Sequence, residues 1–314
     1  MRVREHQHTY WRRRLTALGG LLALVVVAAL LLGNGDSGGQ PERTAERESP
    51  PPEAPSELPR GGRSVLPEHR VVAYYGAPQS DELGALGIGS PDGAARRLAR
   101  QAKPYDGKRP ALPALELIAV IANADAGDDG MYRSRQEDKV IGRYLRAARR
   151  AKALLLLDIQ PGRSDFFTET TRLEKWLKEP DVGLALDPEW RVGDSEVPGQ
   201  VIGHVAPPEV NATSAWLAKL VAREKLPEKL LVIHQFTDDM VDEAALKPRD
   251  GLAMVLNADG FGGRAVKRAK YHAFTRQSPG FFPGFKLFYE EDEDMMGPGA
   301  VLRLRPPPDF VVYE

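Results

Sequence analysis

The segment Leu184-Ala185-Leu186-Asp187-Pro188-Glu189-Trp190 runs from apolar residues into two carboxylates and an indole. An apolar run of this kind predicts a strand that is buried on both faces, as strands of parallel sheets are. Because side chains alternate along a strand, Asp187 and Glu189 are expected to point the same way where the strand leaves the core. Two such acids beside an aromatic ring suit acid/base chemistry on a sugar. The structural alternative is a strand-ending turn in which Asp187 accepts backbone hydrogen bonds.

Seven other apolar segments of similar length occur in the chain, and segments with helical periodicity lie between them. Eight strands joined by helical crossovers indicate an α/β fold of the (β/α)8, TIM-like barrel type. The alternative, an open doubly wound sheet, normally carries a glycine-rich phosphate turn after its first strand, and Gly76-Ala77-Pro78-Gln79 is not one. The predicted strands cover residues 71–76, 116–122, 153–158, 183–187, 230–236, 252–257, 285–290 and 309–313, and the longer predicted helices cover 92–103, 136–152, 168–178, 209–225 and 264–276.

The first 66 residues differ in composition from the rest of the chain. Residues 1–14 are rich in arginine, and the uncharged residues 15–33 are long enough to cross a bilayer as one helix. This order predicts a signal anchor with residues 1–14 in the cytoplasm and the remainder outside the cell, and a cleaved signal peptide is the alternative. Residues 34–66, rich in Gly, Ser, Pro and Glu, predict a disordered linker, so the barrel domain is expected over 67–314.

Composition excludes several classes of function. The 314 residues include 43 Lys and Arg against 44 Asp and Glu, which gives no basic excess for binding nucleic acid. The absence of cysteine excludes disulfides, thiolate metal sites and a cysteine nucleophile. His204, His234 and His272 lack the paired spacing that metal-dependent barrel hydrolases use, so no metal and no other cofactor is expected. A Gly-x-Ser-x-Gly nucleophile motif is also absent from the sequence.

Polar residues are concentrated at the predicted carboxyl ends of the strands, where barrels of this type have their active sites. This rim is acidic and poor in Lys and Arg, which disfavours phosphorylated ligands. Aromatic side chains there are suited to stacking on sugar rings, although packing is their commoner role. The catalytic candidates are Asp187, Glu189 and Glu290, and the substrate-binding candidates are Trp190, Asp158, Gln160, His204, Gln235, Asn257, Asp259 and Tyr74.

With these strand ends the chain resembles the barrel glycoside hydrolases. One large group has an acid/base Glu after its fourth strand and a nucleophile Glu after its seventh, and Glu189 and Glu290 match those positions. The chitinase-like and lysozyme-like barrels use Asp-x-Glu after the fourth strand, which Asp187 and Glu189 resemble. The resemblance implies an enzyme that hydrolyses polysaccharide by carboxylate catalysis, with Glu189 as proton donor and Glu290 or Asp187 as nucleophile or stabiliser.

The sequence is also compatible with two other functions. The barrel is a non-catalytic module that binds glycan or a partner protein at the cell surface, or it is a metal-assisted hydrolase that uses Asp187, Glu189 and His204. In each interpretation the protein is held at the membrane by residues 15–33.

Overall fold

The structure, a computed structural model, describes residues 56–276 and 280–314. Eight parallel strands form a closed barrel in which β1 (Arg70–Gly76) pairs with β2 (Ala111–Ala122) on one side and with β9 (Phe310–Tyr313) on the other. This closure confirms the predicted TIM-like barrel and excludes the open sheet. The remaining barrel strands are β4 (Leu154–Ile159), β5 (Val182–Leu186), β6 (Lys229–Gln235), β7 (Leu252–Ala258) and β8 (Phe282–Leu287). A short antiparallel strand, β3 (Arg133–Arg135), extends the sheet beyond the end of β2.

Helices connect the strands on the outside of the barrel. Several helices begin at the residues that favour a helix start: Ser90 accepts a hydrogen bond from Gly93 N at 3.1 Å, and Asp165 accepts one from Thr168 N at 2.7 Å. The single helix predicted over 168–178 is two shorter helices in the structure. The helices are α1 (Pro91–Ala102), α2 (Asp138–Arg150), α3 (Phe166–Arg172), α4 (Glu174–Leu177), α5 (Pro207–Arg223), α6 (Arg264–Arg276) and α7 (Pro298–Val301).

Two strand boundaries differ from the predicted ones. The seventh barrel strand, β8, ends at Leu287 rather than at residue 290, so Tyr289 and Glu290 lie in the turn that follows it. Its early residues include Pro283 and Gly284, which are uncommon within strands and weaken the sequence signal. The second strand begins at Ala111, ahead of the predicted residue 116. The polar β3 has no apolar pattern and was not predicted.

The hydrophobic core has two layers, because alternate strand residues face opposite sides of the barrel wall. Outward-facing side chains pack against the helices. Inward-facing side chains fill the amino-terminal half of the barrel, and they include Val71, Ala73, Leu112, Ala114, Leu154, Leu156, Leu230, Val232, Ala253, Val255, Phe310 and Val312.

The residues just before the barrel belong to the inner core. Leu58, Val65 and Leu66 are buried among the inward-facing side chains. The Glu228 carboxylate, next to the start of β6, accepts hydrogen bonds from Val65 N at 2.6 Å and from Leu66 N at 3.1 Å. The structure therefore packs residues 58–66 against the barrel, although their composition predicts a linker.

The predicted cytoplasmic segment, the predicted anchor at 15–33 and most of the predicted linker lie outside the described residues. Within residues 56–276 and 280–314, no helix has both the length and the apolar character needed to cross a bilayer.

Candidate active site

The interior of the barrel changes from apolar to polar toward the carboxyl ends of the strands. Above the apolar half lies a set of inward-facing polar residues, here called the inner polar layer, and all of them are buried. Charged groups are rarely buried in a core, because leaving water costs free energy unless each group is paired. Their concentration at the end where barrel enzymes have their sites marks a candidate active site. The layer consists of Tyr75, Glu116, Asp158, Asp187, His234, Asn257, Asp259 and Lys286.

Asp158 and Asp187 share a single hydroxyl group. Tyr75 Oη lies 3.2 Å from Asp158 Oδ2 and 3.3 Å from Asp187 Oδ2, and Gln160 Nε2 donates to the same hydroxyl oxygen at 2.9 Å. A hydroxyl has one proton, so the two carboxylates compete for it. Burial, and next the charge of Asp187, raise the pKa of Asp158 well above its ordinary value.

His234, on β6, lies between two carboxylates. Its Nε2 is 3.0 Å from Glu116 Oε1 on β2, and its Nδ1 is 2.9 Å from Asp259 Oδ2 beyond β7. Burial lowers the pKa of His234, but the hydrogen bonds to Asp259 and Glu116 outweigh it and raise this pKa well above the ordinary value. This arrangement favours an imidazolium held by two acids.

Lys286, on β8, continues the network toward the last strand. Its Nζ lies 3.1 Å from Asp259 Oδ2, 2.7 Å from Glu314 Oε2 and 4.0 Å from the centre of the Tyr75 ring. Burial raises the pKa of Asp259, but Lys286 and then His234 outweigh it, so the pKa is lowered overall. The inner polar layer is thus a connected network that runs around the barrel wall.

The predicted catalytic pair lies at this end of the barrel, but not on one strand face. Asp187 belongs to the inner polar layer, and Glu189 and Trp190 are buried in the 3-10 turn Pro188–Trp190 that follows it. The strand ends at Leu186, so the alternation that would align Asp187 with Glu189 no longer applies. Burial lowers the pKa of Lys270 on α6, and Glu189 is among the acids that oppose this shift, so Glu189 lies within electrostatic reach of α6.

The other predicted residues divide into two groups. Asp158, Asn257 and Asp259 lie in the inner polar layer, and Gln160 contacts it through Tyr75. Four lie apart from the layer. Tyr74 precedes the inward-facing Tyr75, and Gln235 follows the inward-facing His234. Because side chains alternate along a strand, Tyr74 and Gln235 face the outer side of the barrel wall. His204 and Glu290 are exposed.

Sequence reasoning did not select Tyr75, Glu116, His234 or Lys286 as site residues. The available signal was a charged or polar residue inside an otherwise apolar strand, such as Glu116 in Leu115-Glu116-Leu117 or Lys286 in Phe285-Lys286-Leu287. A lone interruption of this kind has no fixed spacing to a partner, because the partners come from other strands.

One group of side chains in the layer has the geometry of metal ligands. Ligand atoms of Glu116, Asp158 and His234 all lie within 4.8 Å of one another. The expectation that the protein binds no metal is based on the spacing of histidines along the chain. That spacing cannot detect this group, because its three residues are far apart in the sequence.

A scan against protein-family models and a search of the curated proteins both found no match. The functional inference therefore depends on the geometry of the barrel interior.

Proposed function

We propose that this barrel is a hydrolase of the glycosidase type that acts on a cell-wall glycan or another polysaccharide. The observation that supports it most is the inner polar layer at the carboxyl ends of the strands, with Asp187 within it. A polar layer of this size lowers stability relative to an apolar core of the same shape, which is the expected cost of an active site.

In this proposal Glu189 protonates the leaving oxygen of the glycosidic bond, and Asp187 acts as the second carboxylate, as nucleophile or base. Asp187 is preferred to Glu290 for the second role because Asp187 is buried in the layer and Glu290 is exposed. A buried carboxylate stabilises a developing oxocarbenium ion better than an exposed one, since water screens it less. The hydrogen bond from Tyr75 at 3.3 Å limits the movement of the Asp187 carboxylate.

A second candidate function is a non-catalytic barrel that binds glycan or a partner protein. One observation favours it: Glu116, Asp158 and His234 are fully buried, and His234 bonds to acids of the same layer rather than facing an open cleft. Buried hydrogen-bonded polar networks also occur in purely structural cores.

The experiment measures release of reducing ends from cell-wall glycan fragments and soluble polysaccharides by the purified full-length protein. Asp187→Asn and Glu189→Gln keep the side-chain shapes, so each should reduce turnover by about 10²–10⁴-fold with a nearly unchanged melting temperature. Glu290→Gln is the matched comparison, because it changes an exposed acid at the same end of the barrel. A loss in Glu290→Gln equal to that in Glu189→Gln would instead favour the Glu189–Glu290 pair. Glycan binding without turnover by the wild type would support the second candidate.

The proposed location is the outer face of the cell membrane, with residues 15–33 as an uncleaved anchor. The arginine-rich residues before this apolar run support that orientation. Fractionation of intact cells should recover the full-length chain with the membrane, and external protease should degrade the barrel. A shortened form in the medium would show that the segment is cleaved.

A further inference from the structure

We propose that the inner polar layer binds one divalent metal ion between Glu116, Asp158 and His234. The three side chains come from β2, its neighbour β4, and β6, and all three face the barrel interior. Their ligand atoms already lie within 4.8 Å of one another. Metal–ligand distances of about 2.1 Å separate the ligands of one ion by roughly 3.5 Å, so small side-chain rotations complete the site.

The chemistry of the ligands indicates which ions fit. One imidazole nitrogen and two carboxylate oxygens form a mixed N/O set, which suits Zn²⁺ or Mn²⁺ better than ions that prefer thiolates. The two carboxylates also carry the charge that neutralises a divalent cation. Three protein ligands leave further coordination positions open, as in catalytic metal sites.

The surrounding residues orient these ligands as outer-shell partners do in metal sites. Asp259 Oδ2 accepts from His234 Nδ1 at 2.9 Å, which directs Nε2 toward Glu116 and the centre of the layer. Asp259 is itself held by Gly260 N at 2.6 Å and by Lys286 Nζ at 3.1 Å. A histidine that donates its second nitrogen to a carboxylate is the usual arrangement for a metal-bound imidazole.

Two buried oxygens supply a second, independent observation. Neither Glu116 Oε2 nor Asp158 Oδ1 has a hydrogen-bond partner among residues 56–276 and 280–314, although both side chains are fully buried. A buried acceptor without a partner destabilises the fold, and a cation between the two carboxylates would satisfy both oxygens.

The competing arrangement is an imidazolium that is hydrogen-bonded to Glu116 and Asp259 with no ion. Binding an ion displaces the proton on His234 Nε2, and this proton is released to solvent. Because the two arrangements differ in metal content, they are distinguishable without any substrate, and the proposal stands or fails separately from the proposed hydrolase activity.

The experiment uses the untagged full-length protein after dialysis against a chelator. Its background is the H6Q/H8Q double variant, because His6 and His8 are spaced to bind an ion by themselves. Titration with ZnCl₂ and with MnCl₂ is followed by calorimetry, and bound metal is measured after gel filtration. One ion per chain is expected, together with a higher melting temperature in the presence of the ion.

Ligand variants locate the ion. His234→Gln and Asp158→Asn should each lose the bound ion, and Asp259→Asn should weaken binding by about 10–100-fold. His204→Gln is the matched control, because it removes an exposed histidine outside the cluster and should bind as the background protein does. Circular dichroism of the metal-free proteins identifies any variant that does not fold.

Two outcomes would overturn the proposal. One is fewer than about one ion per chain in the background protein, a result that needs no ligand variant. The other is folded His234→Gln and Asp158→Asn proteins that bind the ion as tightly as the His204→Gln control, which would assign the ion to a surface site.

Discussion

Tyr75 links the two central acids, Asp158 and Asp187, through hydrogen bonds. Its hydroxyl lies within hydrogen-bonding distance of both Asp158 Oδ2 and Asp187 Oδ2, and it also accepts a hydrogen bond from Gln160. Tyr75→Phe keeps the ring and removes these hydrogen bonds, which leaves buried polar atoms without that partner. The free energy of unfolding should fall by about 1–3 kcal/mol, measured by urea denaturation with a chelator present.

The matched control for this prediction is Tyr144→Phe on α2. The Tyr144 hydroxyl is also buried, but it has no hydrogen-bond partner among the described residues. Its removal should therefore be neutral or slightly stabilising. Equal losses of unfolding free energy in the two variants would mean that the hydrogen bonds of the Tyr75 hydroxyl do not stabilise the fold.

A second residue-scale prediction concerns Lys229, at the amino end of β6. Burial lowers the pKa of Lys229 to about 7, although the charges of Asp181 and Glu179 oppose the shift, and its Nζ donates to Glu179 O at 2.8 Å and Val182 O at 2.7 Å. Between about pH 7 and the ordinary value of 10.5, the unfolded chain binds more protons than the folded one. The free energy of unfolding should therefore rise with pH in this window, by at most about 1.4 kcal/mol per pH unit. This gain is lost as the pH falls toward about 7.

The test compares unfolding free energies of the wild type and Lys229→Met at several pH values in that window. The wild type and Lys219→Met, which changes an exposed lysine, should both gain stability as the pH rises, and Lys229→Met should lack this gain. Parallel pH profiles for wild type and Lys229→Met would contradict the depressed pKa.

The sequence predicts some residues of the candidate site but not others. The pattern of strand ends predicts Asp158, Asp187, Asn257 and Asp259 as site residues, because the carboxyl ends of parallel strands meet at one rim, and all four lie in the inner polar layer. It placed Glu189 beside Asp187 by strand alternation, which Pro188 ends by starting a 3-10 turn. It could not pair His234 with Glu116, because those contacts depend on barrel closure rather than on local spacing.

At the scale of elements, the short strand β3 is attached to α3 by a buried carboxylate. Glu169 accepts from Arg135 Nε at 2.6 Å, from Arg133 Nε at 2.9 Å and from Ser164 Oγ at 2.6 Å. Burial raises the pKa of Glu169, but these bonds outweigh it and the pKa is lowered overall. This contribution to stability is present above the ordinary glutamate value of 4.5 and is lost as the pH falls through the lowered pKa.

Glu169→Gln should cost about 3 kcal/mol at neutral pH. This is the lower end of the range for breaking a buried ion pair, because Arg135 is partly exposed and water compensates some of the loss. Asp92→Asn is the control, since it breaks the exposed pair with Arg150 and should cost about 0–1 kcal/mol. Similar losses in the two variants, measured by chemical denaturation, would contradict the assigned role of Glu169.

The elements differ in how well the sequence predicts them. Most of the barrel strands are apolar and buried on both faces, so the runs of apolar residues locate all eight strands, although the bounds of β2 and β8 differ from the predicted ones. Helix α6 was predicted with its observed bounds, Arg264–Arg276. The polar β3 was missed because its position is set by Glu169 rather than by apolar burial, and the boundary of β8 was displaced because Pro283 and Gly284 lack the signal of a strand.

At the scale of the whole molecule, the barrel interior is divided between stability and function. The amino-terminal half is filled by apolar side chains, and the carboxyl half by the inner polar layer. The count of eight strands is enough to predict this barrel, but not the way its amino end is closed. Leu58, Val65 and Leu66 close it, in a segment whose glycine, arginine and proline content resembles a linker.

The buried state of these three residues leads to the last prediction. Burial of a leucine or valine side chain contributes about 1.5–3 kcal/mol, so a chain that starts at residue 67 should be several kcal/mol less stable than one that starts at residue 56. The sequence pattern predicts no difference, because it places the boundary of the folded domain at residue 67. Within the full-length chain, Leu66→Ala should cost about 2–5 kcal/mol through the cavity that it leaves. Val266→Ala, at a side chain that is 50% exposed, is the matched control and should change little. Equal stability of the two truncated chains in urea denaturation would show that residues 58–66 contribute nothing to the barrel.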